Sequence, residues 1–205
     1  DLLIDDQLAD EGLAERGPVV ISSASSKTAL AAAYLLARRD GVELVGLTSP
    51  GNAEFVAGLG IYGRTVPYDE IAGLDRGPAT FVDVAGDAEV RRAVHERLGD
   101  ELLHSMAVGA SHWDRLGGDG LGGSGELPGP TPTFFFAPDR VVKRSREWGR
   151  GELERRVAAA WAPFCDWIGS WLQVRHGQGF EAIEPAYREL LDGTVPPSAA
   201  HVISL

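Results

Sequence analysis

Cysteine is nearly absent from this sequence: Cys165 stands alone among 205 residues. A lone thiol excludes an internal disulfide framework and a cysteine-rich zinc site. No H-E-x-x-H or comparable ligand spacing appears, so no metal is expected. Basic residues are scarce, 19 Lys and Arg against 30 Asp and Glu, for a net charge of −11. Phosphate backbones and anionic lipid demand a cationic face, so neither nucleic acid nor membrane is expected as a partner. No apolar run approaches the ~20 residues that span a bilayer, and no secretory leader is visible, which makes the cytoplasm the default compartment. Methionine occurs once, at position 106, and position 1 is aspartate. A translated chain starts with methionine, so a processed chain or a fragment is expected, with a further domain of the parent ahead of Asp1.

What is present is an ordinary globular mix, 44% apolar and 24% charged, enough for one domain with a sizeable core. Residues 1–16 read as an acidic amphipathic helix, with Leu2, Leu3, Leu8 and Leu13 near one face. Gly17-Pro18 ends it. Residues 19–21 are a short apolar strand, 22–26 a serine-rich turn, and 27–39 an Ala- and Leu-rich helix. A second apolar strand covers 42–47. This strand–turn–helix–strand unit has the length of a βαβ crossover, about thirty residues. Its strands are continuously apolar, as in a parallel sheet covered on both faces.

The alternation continues. Further strands are expected at 64–66, 79–84, 102–108 and 133–137, a helix capped by Asp87 runs to about Leu98, and helices fall near 152–174 and 180–191. A last strand is expected at 201–205. Between them, residues 117–132 form a long Gly- and Pro-rich loop, a length typical of functional loops. The expected fold is α/β: a Rossmann-type, doubly wound, mostly parallel six-stranded sheet with helices on both faces.

In such sheets ligands bind at the carboxyl ends of strands, so the first βα turn is the primary candidate site. It reads Ser22-Ser23-Ala24-Ser25-Ser26-Lys27-Thr28. Small residues fill every turn position, hydroxyls supply donors, and a helix N-terminus offers N–H groups to a pyrophosphate. Two other readings compete. Ser26-Lys27-Thr28 mimics the end of a P-loop, with Asp83 where a magnesium-binding Asp would stand, but Ile21 and Ser26 occupy the glycine positions. The plainer reading is a serine-rich helix cap that binds nothing. The second strand ends in Thr48-Ser49-Pro50-Gly51-Asn52 with no acid. Without that carboxylate nothing repels a 2′-phosphate, so NADP(H) is favoured over NAD(H) if a dinucleotide binds. Ser49 and Asn52 also fit as caps of the next helix.

The stretches VVISSASSKTALAAAYLLAR, VELVGLTSPGNAEFVAGLGIYGRTVPYDEI and FVDVAGD resemble the nucleotide-binding domain of the medium-chain dehydrogenase/reductase superfamily, nearest its quinone-oxidoreductase and enoyl-reductase branches. SSASSKTA, GLTS, SHW and FFFAP together resemble the domain-of-unknown-function 2855 family within it. The resemblance places the superfamily's turn glycines on Ser23, Ser26 and Ala29. It implies 2′-phosphate contact at Ser49, with Asn52 near the place of an assisting cation, and a nucleotide-proximal tyrosine at Tyr68. It implies a nicotinamide side flanked by Val84, Ala85, Gly86, Val108 and Gly109. It further implies NADP(H) as cofactor, a linker helix at 1–16 ahead of a nucleotide domain at 17–205, and a GroES-like catalytic domain with no counterpart here. A homodimer through the 133–137 strand is the implied assembly.

His112 and Trp113 follow the fifth strand, where an imidazole could polarise a substrate carbonyl and an indole wall a small-molecule pocket. A surface His beside a packed Trp is the plain alternative. His95 and His104 are expected to be solvated or packed. Arg140, Lys143, Arg144, Arg146 and Arg150 form a basic cluster, read as a solvated face or as a seat for an anion. Trp161, Phe164, Ile168 and Trp171 fall at helical spacing and are expected to pack. Two functions remain in view: hydride transfer to or from a carbonyl or activated alkene, and a non-catalytic ligand-binding or assembly module.

Overall fold

The computed structural model describes residues 1–108 and 126–205. The chain divides into two compact units, Asp1–Val157 and Ala158–Leu205.

The first unit holds a six-stranded sheet. Its strands are β1 (Val19–Ile21), β2 (Leu44–Thr48), β3 (Arg64–Pro67), β4 (Ala79–Asp83), β5 (Leu102–Ala107) and β6 (Thr133–Phe134). Their order is β3-β2-β1-β4-β5-β6 and every pairing is parallel. Parallel neighbours need crossovers, and these are α2 (Lys27–Leu36), α3 (Ala53–Gly58) and α4 (Ala88–Leu98). The order reverses at β1. The chain therefore steps outward from β1 in one direction through β2 and β3 and in the other through β4, β5 and β6; with crossovers of one hand this puts helices on both faces, the doubly wound Rossmann arrangement. The sequence-based fold class is the one observed.

Burial follows from the strand sequences. Val19, Val20 and Ile21 are all buried, as are the five residues of β4. One face carries Val20, Leu47, Val66 and Phe81 against Ile71, Leu74, Val90, Val94 and Leu98. Helix α2 forms because Ala and Leu dominate it and Ser26 caps it, its hydroxyl accepting from the Ala29 amide at 3.2 Å. Ala29, Ala32 and Ala33 are fully buried, so the helix approaches the sheet closely. His95 of α4 is buried too. Its Nδ1 faces the Pro128 carbonyl at 2.8 Å and its Nε2 the Ser105 hydroxyl at 2.9 Å. A carbonyl only accepts, so the proton sits on Nδ1 and Ser105 donates to Nε2. His95 is thus packed rather than solvated.

The first helix departs from expectation. Helix α1 covers Leu2–Asp10, not 1–16. Gly12 at φ +62° turns the chain away after the Glu11 cap. Helix α1 lies in the same compact unit as the sheet, in contact with α2 and with α5 (Ala137–Trp148). Helix α5 has no counterpart among the sequence expectations; its Pro138 stands in the first helical turn, where proline is accepted. It also shortens the expected 133–137 strand: β6 is Thr133–Phe134, with Phe136 as the helix N-cap.

The basic cluster on α5 has internal partners. Asp6 receives Arg140 Nε at 2.6 Å and Arg144 Nε at 2.7 Å. Asp10 receives Arg140 at 2.9 Å, Lys143 at 2.5 Å and Arg144 at 2.9 Å. Arg144 also pairs with Glu147. These contacts, the Lys143 bond foremost, hold the Asp10 carboxyl far below its usual range. Arg140 and Arg144 are buried, so neither reading of this cluster as a solvated face or a phosphate seat survives for them. On the other side of α1, Asp5 holds Arg39 through two bonds of 2.6 and 2.7 Å.

The second unit begins within α6 (Arg150–Gly169) and contains a two-stranded parallel sheet of β7 (Gln173–Gln178) and β8 (Ala199–Ser204), linked through α7 (Ile183–Leu191). The helix expected to reach residue 174 stops at Gly169, and the strand expected at 201–205 is β8, Ala199–Ser204, paired with β7. Strand β7, QVRHGQ, lacks apolar alternation and is almost wholly exposed, so hydropathy carried no trace of it. On α6 the rings of Trp161, Phe164 and Trp167 follow one another at 6.0 and 5.9 Å, yet Trp161 is 63% exposed.

Two outcomes follow. Asp6→Ala leaves two buried guanidiniums with less compensation and lowers unfolding free energy by about 2–4 kcal/mol in urea titrations. Burial, with Arg91 adding to it, lowers the His95 pKa from its ordinary 6.5. The unfolded state then binds the proton more readily, so the contribution is full above pH 6.5 and is lost as pH falls through the lower folded value. His104, lowered by burial as well, adds to this slope. The urea midpoint should fall from pH 7 to pH 5, and less steeply in His95→Gln.

Candidate functional site

The turn after β1 sits at the carboxyl edge of the sheet, at the strand where the order reverses. Four successive residues tie it to six neighbours. Ser22 is fully buried; its hydroxyl donates to Asp83 Oδ1 at 2.8 Å and accepts from the Ala85 amide at 2.9 Å. The Ser23 amide donates to the Tyr68 phenol oxygen at 2.9 Å. The Ala24 amide donates to Leu47, and its carbonyl receives the Tyr62 hydroxyl at 3.1 Å. Ser25 accepts from Asn52 Nδ2 at 3.2 Å.

Asp83, at the end of β4, is the hub beneath the turn. Oδ1 accepts from Ser22 and from the Gly86 amide at 3.0 Å; Oδ2 accepts from Arg91 Nε and lies 2.7 Å from its Nη2. Both side chains are buried, at 1% and 6% exposure. A carboxylate so committed has no lone pair directed to a magnesium ion, which removes the main support for the P-loop reading. Among the described residues no group of three or more His, Cys, Asp or Glu is placed to hold a metal.

Ser23 stands where the resemblance puts the first turn glycine, and it adopts glycine's conformation. Its φ of +52° is the only positive value among described non-glycine residues. For an L-residue this costs about 1–2 kcal/mol. Ser26 stands where the second glycine falls and is extended, at φ −74°, so it needs no glycine; it caps α2 instead. Ala29, the third, keeps the tight helix–sheet approach. The substitutions are therefore unequal: two fit the backbone and one strains it.

The other expected residues distribute as follows. Lys27 and Thr28 open α2 and are exposed. Thr48 is buried at the end of β2; Ser49 and Asn52 frame the 3-10 turn that follows, with the Asn52 amide donating to the Ser49 carbonyl at 3.0 Å. Val84, Ala85 and Gly86 lie just past β4, and the Val108 amide donates to the Asp83 carbonyl at 2.9 Å. Val84, Ala85, Val108 and the serine turn thus share one sheet edge. Gly109, His112 and Trp113 lie outside the described residues, as does most of the 117–132 loop.

The sequence reading missed Asp83 with Arg91, and Gly46 with Tyr62. A Cβ on Gly46 would come within 3.0 Å of Ala24 Cβ and the Tyr62 ring, so a glycine inside β2 makes room for the turn. That glycine amid apolar residues was the available signal. Burial pushes both the Tyr62 and Tyr68 phenols above their ordinary value, so both stay protonated at neutral pH.

The family described as "Protein of unknown function (DUF2855)" matches residues 2–196. No curated protein matches the chain in sequence. Solved structures do match in fold. The YhdH oxidoreductase from Salmonella enterica in complex with NADP shares 18% identity at a TM-score of 0.62, covering 100% of this chain and 59% of that one. The quinone oxidoreductase from Coxiella burnetii shares 15% at 0.62, covering 99% and 57%. Bacillus subtilis YhfP with NAD bound shares 16% at 0.59, covering 99% and 59%. The chain thus spans under two thirds of these proteins, and at such identity the likeness establishes the fold.

Asp83→Asn should remove the charge that compensates the buried Arg91 guanidinium and loosen both Ser22 and Gly86. The expected loss is about 3–5 kcal/mol in chemical denaturation.

Proposed function

The chain belongs to the family described as Protein of unknown function (DUF2855), and on that premise we propose that it is the NADP(H)-binding domain of a zinc-independent oxidoreductase of the medium-chain dehydrogenase/reductase type. The observation that carries this reading is the placement of the small-residue turn and the α2 N-terminus at the switch point of a 3-2-1-4-5-6 sheet, beside a β2 end without a carboxylate. Neighbours in fold were solved with NADP or NAD, which supports a nicotinamide nucleotide as the class of ligand.

The residues present fit such a ligand. Ser22 and Ala24 bury their side chains below the turn rather than over it. The first turn of α2, with Ser25, Ser26, Lys27 and Thr28, offers backbone amides, hydroxyls and one cation to a diphosphate. Ser49 offers a hydroxyl to a 2′-phosphate and Asn52 an amide that now donates to Ser25, while Thr48 is buried behind them at the end of β2. Val84, Ala85, Gly86 and Val108 line the nicotinamide side. Bound there, the cofactor supplies hydride to or from a carbonyl or activated alkene. The chain's own work is to orient the nucleotide and to keep charge away from β2.

One observation favours a second reading, a non-catalytic ligand-binding or assembly module: the Ser23 amide and the Ser22 hydroxyl are already engaged within the protein.

Fluorescence titration separates the two. NADPH should bind saturably, and Ser49→Asp should weaken it at least about tenfold by setting a carboxylate against the 2′-phosphate, with NADH little changed. No response to either nucleotide selects the module.

A further inference from the structure

The Ser23–Tyr68 contact joins a strained residue to an oxygen from a distant turn. A left-handed residue in a turn sets successive backbone N–H groups toward one side, the arrangement that binds oxyanions. Ser23 is left-handed, at φ +52°, ahead of the α2 N-terminus, and its own amide is the one so presented, since the Ala24 amide donates to the Leu47 carbonyl. Its amide already meets an oxygen: the Tyr68 phenol at 2.9 Å, reaching over from the 3-10 turn Tyr68–Gly73 that follows β3. The phenol is uncharged at neutral pH, because burial raises its pKa. A neutral oxygen is a weaker acceptor than a phosphate oxygen, since charge-assisted bonds are roughly twice as strong.

We propose that Tyr68 is a displaceable stand-in for a ligand oxygen, holding the Ser23 amide until a diphosphate takes its place. This rests on the nucleotide-binding reading and adds a specific consequence to it. Tyr68 then opposes binding of any ligand that shares the diphosphate, and its hydroxyl sets the affinity of the turn. A tyrosine that instead contacts the nucleotide would strengthen binding, so the two roles differ in sign. The stand-in also explains why a residue as costly as a left-handed serine is held in place without ligand: its amide is never left unpaired.

Tyr68→Phe is a clean probe. The Tyr68 ring packs against the apolar cluster of Val20, Leu47 and Val66, which the substitution leaves in contact. Calorimetric titration of wild type and Tyr68→Phe with NADPH and with NADH is the test. Removing the phenol hydroxyl, and with it its hold on Ser23, should tighten both nucleotides by about three- to tenfold. Unchanged or weaker binding of both overturns the stand-in, and so does a loss confined to NADPH, which would assign Tyr68 to the 2′-phosphate. If wild type binds and the variant gains nothing, the stand-in fails while the nucleotide reading holds. If neither protein binds either nucleotide, both fail. Amide exchange at Ser23 gives a readout that does not depend on nucleotide. It should be slow in wild type and at least about tenfold faster in Tyr68→Phe; equal rates overturn the proposal.

Discussion

A single buried carboxylate organises the carboxyl edge of the six-stranded sheet, where the serine turn lies. Asp83 ends β4, accepts from Ser22 and the Gly86 amide through one oxygen, and binds Arg91 of α4 through the other. A charge out of water is tolerable only when its lone pairs are all engaged. That requirement fixes three segments at once: the turn after β1, the loop after β4, and the start of α4. These segments are therefore placed by electrostatic necessity as much as by the apolar core beneath them.

On this base the turn is built from small residues that act differently from one another. Ser22 faces down into the Asp83 network, Ala24 fits the space that Gly46 leaves, and Ser26 caps the helix. Ser23 alone is strained. Strain at one residue of a turn that is otherwise satisfied is the pattern expected where a backbone amide must be presented to a ligand.

The domain's surplus of acid is also partly structural. Asp5, Asp6 and Asp10 on α1 face guanidinium and ammonium groups of Arg39, Arg140, Lys143 and Arg144. Local charge runs that read as opposite blocks in the sequence, acidic at one end and basic in the middle, are one ion-pair seam. Partners more than 130 residues apart cannot be matched from sequence spacing.

The sequence by itself determined the parallel sheet, because continuous apolar strands alternating with crossover helices admit almost no other architecture. It also located the turn at 22–28 and the uncharged end of β2, since both are local features. It did not reveal α5, with its proline in the first turn, or β7, whose residues are polar throughout. Only the tertiary structure decided what each turn residue does. Ser22 and Ser23 are adjacent and chemically alike, yet one hydroxyl is buried on Asp83 and the neighbouring amide is held by Tyr68, 45 residues away. Hydrogen-bond partners are chosen by proximity in space, and proximity is set by the packing of β1 against β4 and of β2 against β3. No local pattern encodes that.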